Sequence, residues 1–111
     1  MLLSTPFEKG TSPMKEITVT QLKERLKSSS KPYILDVRQP AEFHEGHIEG
    51  SVLIPLDQLP ERYNELSKDV DIVVACRSGG RSARAIQFLE AQGYSRLWNL
   101  VGGNMQWEAE S

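Results

Sequence analysis

A chain of 111 residues holds one domain with one modest core and excludes a tandem pair. Its 39% hydrophobic and 25% charged content are those of an ordinary water-soluble globule, with no apolar run long enough to span a membrane. A net charge of −2 argues against nucleic-acid or membrane partners, and a single cysteine forbids an internal disulfide, which fits a reducing, cytoplasmic setting.

Residues 1–15 read as a flexible extension. Leu2 and Leu3 lead into no sustained apolar run and the lysines follow them, unlike a signal peptide, while Thr5, Pro6, Gly10, Thr11, Ser12 and Pro13 favour a mobile segment. A single domain is expected over 16–111. Ile17 opens it as a short strand. Thr18 with Gln21 makes a capping-box pattern, and Val19, Leu22 and Leu26 share one face of the helix that follows. Polar residues from Ser28 and then Pro32 close that helix. The next strand, over 33–37, is apolar except for Asp36, a residue type that at a strand end accepts hydrogen bonds from loop amides.

Residues 39–50 read as a polar connection. His44 and His47 stand there with Glu42 and Glu45, but no second ligand cluster accompanies them, so no metal is expected. A strand over 51–54 stops at Pro55. Leu59, Tyr63 and Leu66 mark the inner face of a helix starting near Asp57, with Pro60 tolerated in its first turn. Residues 72–75 are an unbroken apolar run, β-branched at three of four positions, which suits a central parallel strand covered on both faces. A helix over 82–92 presents Ala85, Phe88, Leu89 and Gln92 on one face and stops at Gly93. A last strand over 97–101 turns through Gly102 and Gly103 into a short helix, with Trp107 packed on the core. Strands alternating with helices predict an α/β fold: a central, mainly parallel sheet flanked by helices on both faces.

The chemistry concentrates between the 72–75 strand and the 82–92 helix. In open α/β sheets, ligands bind where a strand's carboxyl end meets a helix's amino end. Cys76, the only cysteine, lies there. A free thiol, with a pKa of about 8.5, is mostly protonated at neutral pH, whereas unpaired first-turn amides and the helix dipole favour the reactive thiolate. Gly79 and Gly80 allow positive φ, so that successive amides can curl inward as an anion-binding nest. Arg77, Arg81 and Arg84 crowd a helix amino end, where cations are unfavourable unless a negative charge is bound. These features make Cys76 a nucleophile rather than a small buried hydrophobe.

The loop Cys76-Arg-Ser-Gly-Gly-Arg-Ser82 resembles the active-site loop of rhodanese-type sulfurtransferases, in particular the single-domain ones. Asp36-Val-Arg38, Glu42-Phe43, the run from Phe43 through His47-Ile48 to Gly50-Ser51, Ile54-Pro55-Leu56 and Gly102-Gly103 followed by Trp107 resemble further signatures, in order, over roughly residues 16–107. Glu49 and Ser51 depart from the commonest form, which has proline and alanine there.

The resemblance implies a small rhodanese-like domain in which the Cys76 thiolate takes a sulfane sulfur from a donor such as thiosulfate. A persulfide would rest among the amides of Arg77, Ser78, Gly79, Gly80 and Arg81, with Ser82 ending the loop, and a thiophilic acceptor such as cyanide or a thiol would remove the sulfur. The arginines would hold the donor's anionic end. No cofactor is implied. Asp36, Arg38 and His47 would support the loop, His47 by hydrogen bonds; a histidine acting as base for Cys76 is the other role open to it. With no second cysteine the acceptor comes from outside, as a small molecule or a partner protein.

Two alternatives stand beside this reading. One is a persulfide carrier or regulatory binding module acting on partner proteins. The other is a cysteine phosphatase or arsenate reductase, whose loop usually has five residues between cysteine and arginine. Four separate Cys76 from Arg81 here, a tighter pocket suited to one sulfur atom.

Overall fold

The computed structural model describes residues 14–110. Residues 1–13, most of the expected extension, and Ser111 lie outside the described residues. Five strands, β1 (Glu16–Ile17), β2 (Tyr33–Asp36), β3 (Val52–Leu53), β4 (Ile72–Ala75) and β5 (Leu97–Leu100), form one sheet in the order β1-β5-β4-β2-β3. Every pairing is parallel, with Leu35 opposite Val74 and Val74 opposite Asn99 across the centre. The helices are α1 (Val19–Lys27), α2 (Pro40–Glu45), α3 (Leu59–Arg62), α4 (Gly80–Ala91) and α5 (Gly103–Ala109). Among the described residues no helix is long and apolar enough to cross a membrane.

Strand periodicity divides the core between the two faces of the sheet. Leu35, Ile72, Val74 and Leu97 join Leu59, Ala85, Ile86 and Leu89 on one face, beneath α3 and α4. Ile34, Val73, Ala75 and Leu100 join Val19, Leu22 and Ile48 on the other, where Trp107 of α5 packs against them. Both faces of β4 are therefore covered, which is why its apolar run does not alternate. Thr18 caps α1 in the expected box, its hydroxyl accepting from the Gln21 N–H while the Gln21 side chain accepts from Thr18 N–H. Met14 packs against the first face, and the Lys15 carbonyl accepts the Asn99 N–H at 2.9 Å.

The structure departs from the sequence expectations at four places. The connection over 39–50 contains α2, which starts at Pro40 and is closed by a box between Gln39 and Glu42; it buries no residue, so it leaves no apolar stripe to find. The inner face of α4 is Ser82, Ala85, Ile86 and Leu89, while Phe88 is only half-buried and meets Tyr63 edge-on. Of the two loop glycines only Gly79 has positive φ, at 128°; Gly80 is the first residue of α4. The segment from Leu56 to Glu65 is a broken helix, two 3-10 turns around α3, with Pro60 in the first turn.

The approach of α5 is set by backbone alone. The N–H groups of Asn104 and Met105 donate to the carbonyls of Cys76 and Arg77 at 2.8 and 3.0 Å. At Gly103, with φ 59°, an added Cβ would stand 2.3 Å from the Cys76 oxygen and 2.5 Å from that of Arg77, which no side chain can occupy. Gly103→Ala is expected to lower Tm by about 10 °C or more, because α5 must leave the loop. Gly80→Ala, whose Cβ meets nothing within 4 Å, should melt like the parent. Thermal unfolding followed by circular dichroism checks both, and an unchanged melt for Gly103→Ala would mean that the close contact is dispensable.

Candidate active site

Cys76 continues the phase of Ile72 and Val74, so its side chain points to the α4 face and its residue is 1% exposed. Chain reversal after it brings the first turn of α4 over the sulfur. The Gly79 N–H donates to Sγ at 3.0 Å, and the thiol lies 3.4 Å from the Ser82 hydroxyl. Burial pushes the Cys76 thiol up, but the Ser82 hydroxyl and the amides of Ser82, Gly79 and Ser78 outweigh it and bring the pKa below the ordinary thiol value. The positive end of α4 and the Arg81 guanidinium favour charge on the sulfur in the same sense.

Behind Ser82 stands Asn99. It is in phase with Leu97 on β5 and therefore on the same face as Cys76. The Ser82 hydroxyl lies 2.6 Å from Asn99 Oδ1 and 3.0 Å from the Gly79 carbonyl, which also faces Asn99 Nδ2 at 3.3 Å.

The three loop arginines have separate surroundings. Arg81 makes a two-pronged pair with Glu42 of α2, Nη1 to Oε1 at 2.7 Å and Nη2 to Oε2 at 2.8 Å. Arg81 first, then the Gln39 N–H, hold the Glu42 carboxyl down at about 2, so the pair is fully charged at neutral pH. Arg84 is exposed on α4. Arg77 is exposed and borders a cleft of about 270 Å³ whose walls carry both signs of charge, with Glu45, Glu108 and Met105 beside it.

The expected supporting residues fall into two groups. Asp36 and Arg38 form a buried bidentate pair at 2.8–3.1 Å, and Arg38 also donates to the Gly46 carbonyl. With its amide oriented to satisfy both neighbours, Asn104 accepts from Arg38 at 3.2 Å and donates to the Cys76 carbonyl at 3.0 Å. Asp36 and Arg38 thus reach the loop through Asn104. His47 does not: Nδ1 engages the Phe43 carbonyl at 2.8 Å and the ring stacks on Phe43 at 3.7 Å. It fixes the turn after α2, and among the described residues it makes no hydrogen bond to Cys76. Nor do three His, Cys, Asp or Glu side chains converge among those residues as a metal group.

Asn99 and Asn104 escaped the sequence reading. A signal existed for Asn99, a polar residue in phase with the buried face of a strand, which must find partners inside. None existed for Asn104, whose role follows from the path of α5. Ser82→Ala is expected to raise the Cys76 pKa by about one unit, since a thiolate loses a charge-assisted donor where a thiol loses only a weak acceptor. Alkylation rate against pH reads this directly: the sigmoid should move to higher pH, and a curve that stays put would remove Ser82 from the ionisation.

The comparisons with known proteins agree with this geometry. The family model described as a rhodanese-like domain matches residues 18–110. A sulfurtransferase of Allochromatium vinosum is 40% identical over 92 residues, covering 83% of this chain and 86% of its own. A putative sulfur carrier protein of Bacillus subtilis is 34% identical over 102 residues, 92% of this chain and 55% of the longer relative. The crystal structure of a rhodanese-like domain protein from Staphylococcus aureus superposes with a TM-score of 0.81 at 37% identity, covering 85% of this chain and 91% of that one. With a five-stranded parallel sheet, a cysteine just past the carboxyl end of β4 and a match across nearly the whole described region, the chain belongs to the rhodanese-like domain family.

Proposed function

We propose that the protein is a sulfurtransferase that carries a sulfane sulfur on Cys76. The observation that supports this most directly is a thiol whose ionised form is favoured by the Gly79 N–H and the Ser82 hydroxyl at the start of α4. In loading, the Cys76 thiolate attacks the outer sulfur of a donor such as thiosulfate; the new S–S bond forms as the donor's own S–S bond breaks, and sulfite leaves with that electron pair. In unloading, cyanide or a thiolate attacks the outer sulfur of the persulfide, and the breaking S–S bond returns its pair to Sγ. Neither step needs an added oxidant, reductant or cofactor. Loop amides and the helix dipole stabilise the anionic sulfur in both.

A second reading, relay of persulfide between proteins, draws support from the charge arrangement. Arg81 is engaged by Glu42, and the cleft beside Arg77 carries Glu45 and Glu108 as well, a poor trap for a small dianion and a reasonable rim for a protein surface. The sulfur carrier among its relatives points the same way.

Intact mass after brief incubation with thiosulfate, before and after cyanide, tests the central claim. The parent should gain one sulfur atom that cyanide removes, and Cys76→Ser, close in shape, should gain none while keeping its fold. No adduct from thiosulfate or from a protein persulfide would overturn the reading. If thiosulfate is the donor and displaces Glu42 from Arg81, Arg81→Ala should slow loading from thiosulfate about tenfold more than loading from an uncharged organic persulfide. Equal losses with both donors would assign Arg81 to holding α2 against the loop instead of to the donor.

A further inference from the structure

The Ser82 hydroxyl has one proton and three neighbours able to accept it. Asn99 Oδ1 is nearest at 2.6 Å, the Gly79 carbonyl stands at 3.0 Å, and Cys76 Sγ at 3.4 Å. The Gly79 carbonyl already takes the Ala83 N–H at 3.2 Å and the Asn99 Nδ2 at 3.3 Å, which occupies both its lone pairs. While Cys76 is a thiol the assignment is therefore settled: the hydroxyl donates to Asn99, and Sγ–H donates to the hydroxyl oxygen. Once the thiol proton leaves, that arrangement turns a lone pair of Ser82 toward an anionic sulfur. Rotation of a single O–H bond corrects it by donating to Sγ, and Asn99 Oδ1 gives up its donor in a corner where Ser82 is fully buried and Asn99 is 8% exposed.

We propose that Asn99 is a positioning residue: it holds the Ser82 proton whenever the Cys76 sulfur is uncharged and yields it whenever the sulfur bears charge. This rests on the reading of Cys76 as the reacting sulfur. The persulfide's inner sulfur is uncharged, so the proton lies on Asn99 while the sulfur is carried. When an acceptor takes the outer sulfur, the pair left on Sγ draws the proton across. The hydroxyl thus stabilises charge as it develops and adds nothing to the loaded state, the difference that accelerates a step. The amide side chain suits the task because one end accepts from Ser82 while the other steadies the Gly79 carbonyl.

The other charges acting on this corner come from different elements. Arg81 on α4, paired with Glu42 of α2, acts on the sulfur through its charge, and Asp36 of β2, paired with Arg38, acts on Arg81. Arg77 belongs to the loop itself, and β5 carries no titratable side chain.

A double-mutant cycle on the rate of iodoacetamide alkylation against pH tests the proposal. In Asn99→Ala, and in the volume-matched Asn99→Leu should the first fail to fold, the freed hydroxyl should lower the Cys76 pKa by about half a unit to one unit, raising alkylation three- to tenfold, or about that, on the acid limb. In a Ser82→Ala background the same substitutions should leave the pKa unchanged. A merely structural Asn99 predicts the reverse sign, because a loosened Gly79 would weaken its N–H bond to Sγ, and the effect would persist without Ser82. A raised or unchanged pKa in the single variants, or an equal shift in both backgrounds, would overturn the proposal. Alkylation needs no sulfur donor, so its outcome is independent of the persulfide mass measurement.

Discussion

The reactive end of this domain depends on a close backbone contact between α5 and the loop after β4. The carbonyl of Cys76 receives two donors from Asn104, one main-chain and one side-chain, and that of Arg77 receives the Met105 N–H. With the Arg77 oxygen held on the α5 side, the Ser78 N–H of the same peptide is left to act on the sulfur on the α4 side. A peptide plane fixed at one edge is fixed at the other. This is why Gly103, remote from Cys76 in sequence, is the position with the least space of any glycine described. The buried Asp36–Arg38 pair belongs to the same device, since Arg38 orients the Asn104 amide that grips the loop.

Charge around the site is arranged in pairs. Arg38 is neutralised by Asp36 and Arg81 by Glu42, so the local field at the sulfur owes much to oriented amides and one hydroxyl. Dipoles of this kind are short-ranged and do not attract anions from a distance. The site is therefore built to stabilise charge already delivered to Sγ more than to collect charged molecules from solution. The two signs along the cleft beside Arg77 are consistent with recognition by contact.

The sequence carries the fold through periodicity and caps. The two-faced burial of β4, the box of Thr18 with Gln21 and the alternation of strands with helices each had a direct physical signature, and the structure follows them. Where no apolar face was buried, as in α2, no signature existed. The loop was legible because its residue types are costly without a bound anion, but its conformation was legible only in part: Gly79 carries the unusual φ, while Gly80 continues a helix that any residue could start. Arginine count likewise gave local charge without its compensation, since Glu42 lies 39 positions from Arg81 and only the packing of α2 unites them. Asn99 and Asn104 belong to the tertiary level altogether.

The order of strands has a consequence for how the domain comes into being. Cys76 directly follows β4, yet Asn99, Gly103 and Asn104 all emerge later, and β5 must settle between β1 and β4 before any of them is in place. Parallel pairing of distant segments is slow to close, and during synthesis β5 follows the other four strands described. A nascent chain that has exposed Cys76 therefore lacks both the finished sheet edge and the grip of α5 that sets the loop amides around the sulfur. Thiol activation and completion of the fold are one event, so a stalled or truncated chain carries an ordinary cysteine.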